Sequence, residues 1–351
     1  MWIGYCQEGL KINETDIDFF DVRNEPFCIF GLYNPSVNFH RLPDDVAKAT
    51  SDAIYSHSVN SSGGRIRFAT NSPYIAIRVK HKNYNNGDPH VTRLATLGVD
   101  IYVRKNSIET YYGSYYPPID QENYYEGIKT FSGKEMREIT LYMPIGKEVF
   151  EFEVGIKKGS TLKKHSDYRI KKPIVFYGSS ITNGYAASRP GNTYEGFISR
   201  SLDCDYINLG FSGSAKGEIP TAQYISGLDM SAFVFDYDHN APDCEHLLAT
   251  HKRFFDVVRN ANPNLPIITI SRPDSDLNDD CQSRRDIVLN TYLYARRSGD
   301  KNVYFIDGYT LFPPDCRNDC TVDGCHPNDL GFYFMSKRIG EVLKNIVIVS
   351  K

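Results

Sequence analysis

Hydrophobic and polar positions follow two different rhythms along the 351 residues of this chain. In the first half the rhythm is alternation. Arg65-Ile66-Arg67-Phe68-Ala69-Thr70 and Tyr74-Ile75-Ala76-Ile77-Arg78-Val79 alternate across Asn71-Ser72-Pro73, a pattern that predicts a hairpin. Val99-Asp100-Ile101-Tyr102-Val103, Glu138-Ile139-Thr140-Leu141-Tyr142-Met143 and Val149-Phe150-Glu151-Phe152-Glu153-Val154 continue it. Strands at this spacing, with no clear helix between them, predict a β-sandwich of the jelly-roll kind.

A polar, Lys-rich stretch over 159–172 ends at Pro173, and the rhythm then changes. Short apolar runs at 174–177, 206–209, 232–236, 266–270 and 303–306 read as strands. Between them, helical spacing appears. Leu247, Leu248, His251, Phe254, Phe255 and Val258, for example, recur every three or four residues. Apolar strands separated by amphipathic helices predict a five-stranded parallel sheet covered on both faces. The expected division is therefore a β-sandwich domain over 1–168 and an α/β domain over 169–351. In such sheets the chemistry gathers beyond the carboxyl ends of the strands.

Composition narrows the function without naming it. Hydrophobic residues make up 41% and charged residues 24%, enough to build a sizeable core. The net charge of -3 gives no basic surplus for nucleic acid or an anionic membrane. No apolar run reaches the ~18 residues of a membrane span. Met1-Trp2-Ile3-Gly4-Tyr5-Cys6-Gln7-Glu8 lacks the pattern of a secretory signal, so a cytoplasmic location is expected. The eight Cys are scattered and form no CxxC pair. Cys316, Cys320 and Cys325 precede His326 at a spacing that matches no common zinc pattern, and they read as reduced thiols. Neither a metal nor another cofactor is expected.

Candidate chemistry lies at the strand ends. The first run of the second half leads into Gly178-Ser179-Ser180-Ile181-Thr182-Asn183-Gly184. Serines on such a turn can cap a helix, or one of them can act as a nucleophile if a base and an oxyanion hole are supplied. A base is offered far downstream, in Asp323-Gly324-Cys325-His326 after the last strand. An Asp three residues before a His can reach one imidazole nitrogen across a tight turn, leaving the other to accept a serine proton. Asn208-Leu209-Gly210-Phe211-Ser212-Gly213-Ser214 and Phe235-Asp236-Tyr237-Asp238-His239-Asn240-Ala241 end the second and third strands. A glycine N–H and an Asn amide there are candidate oxyanion donors.

Together these four blocks resemble the SGNH (GDSL) hydrolase family, whose blocks occur in this order. Gly178-Ser179-Ser180-Ile181-Thr182 is similar to the family's Gly-Asp-Ser-Ile-Thr, which implies Ser180 as nucleophile rather than Ser179. The resemblance implies Asp323 and His326 as its partners, and Ser180, Gly213 and Asn240 as the oxyanion hole. It also implies the three-layer αβα form of the second domain. Two positions depart from the pattern: Ser179 stands for the usual acidic residue, and Ala241 for the Asp that often follows the block-three Asn. In the first half, Gly98-Val99-Asp100-Ile101-Tyr102 resembles the Gly-x-Asp-Leu-Tyr signature of a β-sandwich domain found ahead of some SGNH hydrolases.

The resemblance implies a serine esterase, with a short acyl group, acetyl foremost, on a carbohydrate or similar polar alcohol as the expected substrate. An acyltransferase using the same triad and a non-catalytic glycan-binding protein are the alternatives. Two segments are candidates for substrate contact. One is the Tyr-rich run Tyr111-Tyr112-Gly113-Ser114-Tyr115-Tyr116-Pro117-Pro118, whose Tyr115 and Tyr116 offer ring faces suited to sugars or, alternatively, to packing the sandwich. The other is Arg272-Pro273-Asp274-Ser275-Asp276 after the fourth strand, with Arg272 and Asp274 placed to line the site.

Overall fold

The computed structural model of the chain describes residues 12–83, 88–274 and 278–347. The N-terminal octapeptide read for a secretory signal, and Ser275 and Asp276, lie outside the described residues. Chain contacts divide the protein into two units. One comprises Met1–His40, Val59–Asp167 and Ser188–Gly191, and the other Arg41–Ser58, Tyr168–Ala187 and Asn192–Lys351. Where a single boundary at 168/169 is expected, the units change at 167/168 and exchange two further segments of chain. Residues 41–58 precede most of the sandwich in sequence yet belong with the second unit, and 188–191 belong with the first.

The first unit begins with β1 (Ile17–Asp21) and β2 (Cys28–Phe30). Helices α1 (Asp44–Thr50) and α2 (Asp52–Ser58) follow and belong to the second unit. Next come β3 (Arg65–Thr70), β4 (Tyr74–His81), α3 (Arg93–Leu97), β5 (Val99–Lys105), β6 (Ile108–Tyr115), β7 (Tyr124–Thr130), β8 (Arg137–Tyr142), β9 (Val149–Lys157) and β10 (Leu162–Lys163). One antiparallel sheet has the order β1-β9-β4-β7. The other runs β10-β3-β8-β5-β6, with β2 also paired to β3. Ile66, Phe68, Ile101, Ile139 and Leu141 of the second sheet share one core with Ile75, Ile77, Val79, Phe152 and Val154 of the first. This is the jelly-roll sandwich.

The expected hairpin is not formed. β3 pairs with β8 and β4 with β9 and β7, so the strands flanking Asn71-Ser72-Pro73 lie in different sheets. Alternation fixes which side chains face inward but not which strand is the neighbour. The connection is instead built to cross the sandwich. The Ser72 hydroxyl donates to the Tyr74 carbonyl and accepts from Lys157 N–H. Asn71 Oδ1 accepts from Thr161 N–H, and Phe131 N–H donates to the Pro73 carbonyl. Three short helices, α1 to α3, also interrupt a half that reads as purely β. None exceeds seven residues, too few for an apolar period to show.

The Gly-x-Asp-Ile-Tyr segment has a definite task within this unit. The Asp100 carboxylate is buried and accepts from Ser114 Oγ at 2.6 Å, Arg189 Nη1 at 2.7 Å and Gly191 N–H at 2.8 Å. Tyr102 OH also accepts from Arg189. The motif therefore holds the 188–191 segment.

The second unit is an αβα sandwich. Its strands β11 (Ile170–Gly178), β12 (Cys204–Gly210), β13 (Ala232–Asp236), β14 (Ile267–Ile270) and β15 (Val303–Ile306) form one parallel sheet in the order β12-β11-β13-β14-β15. The helices are α4 (Ser180–Asn183), α5 (Tyr194–Leu202), α6 (Ile219–Ser226), α7 (Cys244–Ala261), α8 (Asp279–Arg297) and α9 (Asp329–Val347). Successive residues of β11 face opposite layers. Phe176 meets Tyr194 of α5, and Tyr177 stacks on Phe254 of α7 with ring centroids 4.6 Å apart. Leu247, His251, Phe254, Phe255 and Val258 are the buried stripe of α7, whereas Leu248, grouped with them by spacing, is exposed. No helix among the described residues is long and apolar enough to cross a membrane.

Phe254 also stacks on Phe235 at 4.9 Å, so its ring joins two strands to α7. Phe254→Ala is expected to cost about 3–5 kcal/mol of stability, measured as a lower denaturant midpoint with unchanged slope.

Candidate active site

β11 ends at Gly178, and the chain turns at once into α4. Ser179 is the N-cap of that short helix, its hydroxyl accepting from Ile181 N–H at 3.1 Å. Ser180 therefore has its own hydroxyl free of capping. Of the two serines, Ser179 takes the capping role. The residue standing where the family carries an acid is a neutral cap, fully buried. Gly184, at φ +94°, ends the helix in the left-handed region that favours glycine.

The candidate base lies in the segment between β15 and α9. Ser180 Oγ lies 2.9 Å from His326 Nε2, and His326 Nδ1 lies 2.7 Å from Asp323 Oδ2. The turn between Asp323 and His326 is closed by Asp323 Oδ1, which accepts from Cys325 N–H at 3.0 Å and His326 N–H at 2.7 Å. Gly324 supplies the positive φ of +84° that this tightness needs. Partial burial opposes ionisation of Asp323. The two backbone N–H groups and the imidazole outweigh it and hold the carboxyl down at about 2. It stays a carboxylate, the charge needed to support an imidazolium.

The tips of β12 and β13 complete the site. Phe211 N–H donates to the Gly178 carbonyl at 2.9 Å, and Ser179 N–H donates to the Asp236 carbonyl at 3.1 Å. Gly213 lies at φ +66° in the turn after β12. Asn240 Nδ2 donates to the Phe211 carbonyl at 3.0 Å, which brings the amide and the Gly213 turn together. Buried carboxyl groups of this unit include Asp236 at the tip of β13, Asp238 just after it, and Glu195, which accepts from the Asn208 amide. Burial pushes Asp236 far above the usual carboxylate range and Glu195 up to about 8. At neutral pH these two groups thus carry little negative charge.

Arg272 and Asp274 form a two-pronged ion pair, at 2.7 and 2.8 Å, and the Arg272 N–H donates to Asp238. Asp274 helps line a cavity of about 480 Å³ beside the catalytic turn, together with Phe312, Arg317, Val322, Asp323 and Cys325. Its Oδ1 lies 3.7 Å from Nε2 of His239, a buried imidazole that burial lowers to about 3 and so keeps neutral.

Of the two uses open to the Tyr-rich run, substrate contact and packing, Tyr115 takes packing. Tyr115 is only 2% exposed, in the sandwich core, and its hydroxyl donates to the Ile75 carbonyl. It has no surface to offer a substrate, because β6 turns this side chain inward. Tyr111 and Tyr112 bond Ser114 and the Thr130 carbonyl, and Arg189 covers the Tyr111 ring at 3.8 Å. Tyr116 is 50% exposed, with the Lys129 ammonium 5.8 Å from its ring. Two functional neighbours escape sequence reasoning. The Tyr185 ring lies 4.3 Å from the His326 ring, at a tilt of 45°. Tyr185 directly follows the nucleophile block, and that adjacency is its only signal. Arg41, discussed below, has none.

A serine, a histidine and a carboxylate at the carboxyl edge of a parallel sheet, covered by helices on both faces, are the marks of an ester hydrolase of the αβα type. Residues 171–344 match the family described as GDSL-like lipase/acylhydrolase, and residues 17–162 match the N-terminal domain of SGNH-type esterases, named for its GxDLY signature. The chain belongs to the GDSL-like (SGNH) hydrolases, in the two-domain form, and is a carboxylic ester hydrolase by class. Among solved structures it is similar to a candidate GDSL-like lipase from Bacteroides ovatus ATCC 8483. That match has 28% identity and a TM-score of 0.83, over 94% of this chain and 98% of the other. The salicylyl-acyltransferase SsfX3 of a tetracycline biosynthetic pathway shares the fold at 19% identity and TM-score 0.78, covering 95% and 99%. An acetyl xylan esterase, Est2A, from Butyrivibrio proteoclasticus does so at 14% and 0.59, covering 94% and 98%. A search of curated proteins returns no match.

The lowered pKa of Asp323 makes a prediction about stability. A carboxyl held below its unfolded value contributes stability above that value, near 4, and loses it as pH falls toward about 2. The melting-temperature gap between wild type and Asp323→Asn should therefore be largest near neutral pH and close on acidification.

Proposed function

We propose that this protein is a serine esterase that removes short acyl groups, acetyl foremost, from a carbohydrate or similar polar alcohol. The observation that carries the reading is the unbroken relay from Ser180 Oγ through His326 to Asp323, at 2.9 and 2.7 Å.

Ser180 Oγ attacks the ester carbonyl while His326 Nε2 takes its proton. Asp323 keeps the imidazole oriented and stabilises the imidazolium. The carbonyl oxygen becomes an oxyanion, received by the N–H groups of Ser180 and Gly213 and by the Asn240 amide. One hydrogen of that amide is committed to Phe211, which leaves the other for the oxyanion. His326 then returns its proton to the leaving alcohol, and the acyl group remains on Ser180. Water, activated by the same imidazole, attacks the acyl-enzyme and releases the acid. An alcohol entering in place of water would give acyl transfer by the same steps.

A polar alcohol is supported by the cavity beside the Asp323 turn, where Asp274 and Arg317 stand among Phe312 and Val322. A polar alcohol fits this mixed lining better than a long hydrocarbon does. The fold shared with an acetyl xylan esterase is consistent with a saccharide substrate.

The test uses p-nitrophenyl esters of increasing chain length beside acetylated sugars. The acetate ester should give the highest kcat/KM. Ser180→Ala should lower kcat on the order of 10⁶-fold, and Asn240→Ala by roughly 10²–10³-fold. Wild-type turnover in Ser180→Ala would overturn the reading. Acyl-alcohol products with an added acceptor, exceeding free acid, would assign the transferase instead.

A further inference from the structure

We propose that Arg41 is a positioning residue for the oxyanion hole, reaching it from a segment that precedes most of the β-sandwich in sequence. The inference rests on the serine-esterase reading above and adds to it a residue outside the four sequence blocks.

Arg41 is fully buried within the catalytic unit. Its Nη1 donates to the Gly210 carbonyl at 2.6 Å and lies 3.3 Å from both the carbonyl and Oδ1 of Asn208. Its Nη2 donates to the His57 carbonyl at 2.7 Å, and its guanidinium lies 4.8 Å from the centre of the Phe211 ring. No carboxylate among the described residues stands within ion-pair range of it. Glu195 acts on it from further away, and burial keeps that carboxyl largely protonated at neutral pH. Burying a cation among neutral oxygens costs stability. A hydrophobic side chain of similar size would fill the space at less cost, so the charge and its fork of donors need another reason.

That reason is where the acceptors lie. Asn208 and Gly210 end β12, and the next residues form the turn that carries Gly213. The Phe211 carbonyl orients the Asn240 amide, and Phe211 N–H bonds the Gly178 carbonyl just ahead of the nucleophile. The Asn208 side chain, with Oδ1 facing Arg41, turns its amide to the Thr182 carbonyl in the nucleophile's own helix. One rigid guanidinium thus sets the strand tip beside all three proposed oxyanion donors. It ties that tip to α2 at the same time, through His57. A lysine is a single point charge and cannot span the Gly210 and His57 carbonyls together.

The experiment compares wild type, Arg41→Lys and Arg41→Met on p-nitrophenyl acetate. A second reading is the affinity for a phenylboronic acid. The serine oxygen adds to boron, giving a tetrahedral anion that occupies the oxyanion hole. Arg41→Met is expected to lower kcat by roughly 10- to 100-fold with KM nearly unchanged, since displaced donors act on the transition state rather than on the bound ester. Boronate affinity should fall by a similar factor, and Arg41→Lys should lie between. A folded Arg41→Met with kcat within about twofold of wild type overturns the proposal. So does a fall in kcat with boronate affinity intact. If Arg41→Met does not fold, the same pair of readings on Arg41→Lys decides. The rate of Ser180 labelling by a serine-directed phosphonate separates the two levels. Labelling without ester turnover refutes the esterase reading, and the Arg41 comparison is then read from the labelling rate.

Discussion

The tip of β11 has no room for a side chain, and the active site depends on that constraint. A Cβ added at Gly178 would lie 2.0 Å from the Asp236 carbonyl oxygen and 2.1 Å from Thr182 Oγ1. One added at Gly210 would lie 2.2 Å from Asn183 N. The two glycines let β11, β12, β13 and α4 meet backbone to backbone. Because β11 is flanked by β12 on one side and β13 on the other, the segments carrying Ser180, Gly213 and Asn240 emerge side by side. Hydrogen bonds of 2.9 to 3.1 Å between the tips then hold that convergence.

Electrostatics in the same region are arranged by burial and backbone N–H groups. Burial keeps some groups neutral: Asp236 and Glu195 hold protons, and His239 lacks one. Asp323 is partly exposed and accepts two backbone N–H bonds, so it is charged. The site thus sets a full negative charge against the imidazole, to which Asp236 and Glu195 add little. That distribution favours a transient imidazolium and a transient oxyanion, the two charges that acyl transfer to serine creates.

The sandwich uses its unusual wealth of tyrosine largely for itself. Tyr115 and Tyr125 are buried with their hydroxyls satisfied by the Ile75 and Leu97 carbonyls. Tyr102 and Tyr111 enclose the Arg189 guanidinium. A ring with a hydroxyl at its edge suits a sugar, but it equally suits a core that must bond stray backbone carbonyls.

The sequence by itself determined the two architectures, the order of the strands along the chain and the segments that carry the candidate site residues. Hydrophobic rhythm is a local property, and a glycine, a capping serine or an Asp-x-x-His turn is local too. Tertiary structure alone decided what depends on partners distant in the chain. β3 and β4 joined different sheets, although their alternation suits a hairpin. Tyr115 turned into the core, although its neighbour Tyr116 stayed exposed. Residues 41–58 left the sandwich for the catalytic unit and brought Arg41 against the β12 tip. Nothing in the pattern around Arg41 marks it, because its acceptors at the β12 tip, the Asn208 and Gly210 carbonyls among them, lie some 170 residues away. Those carbonyls become partners only when the sheet brings them there.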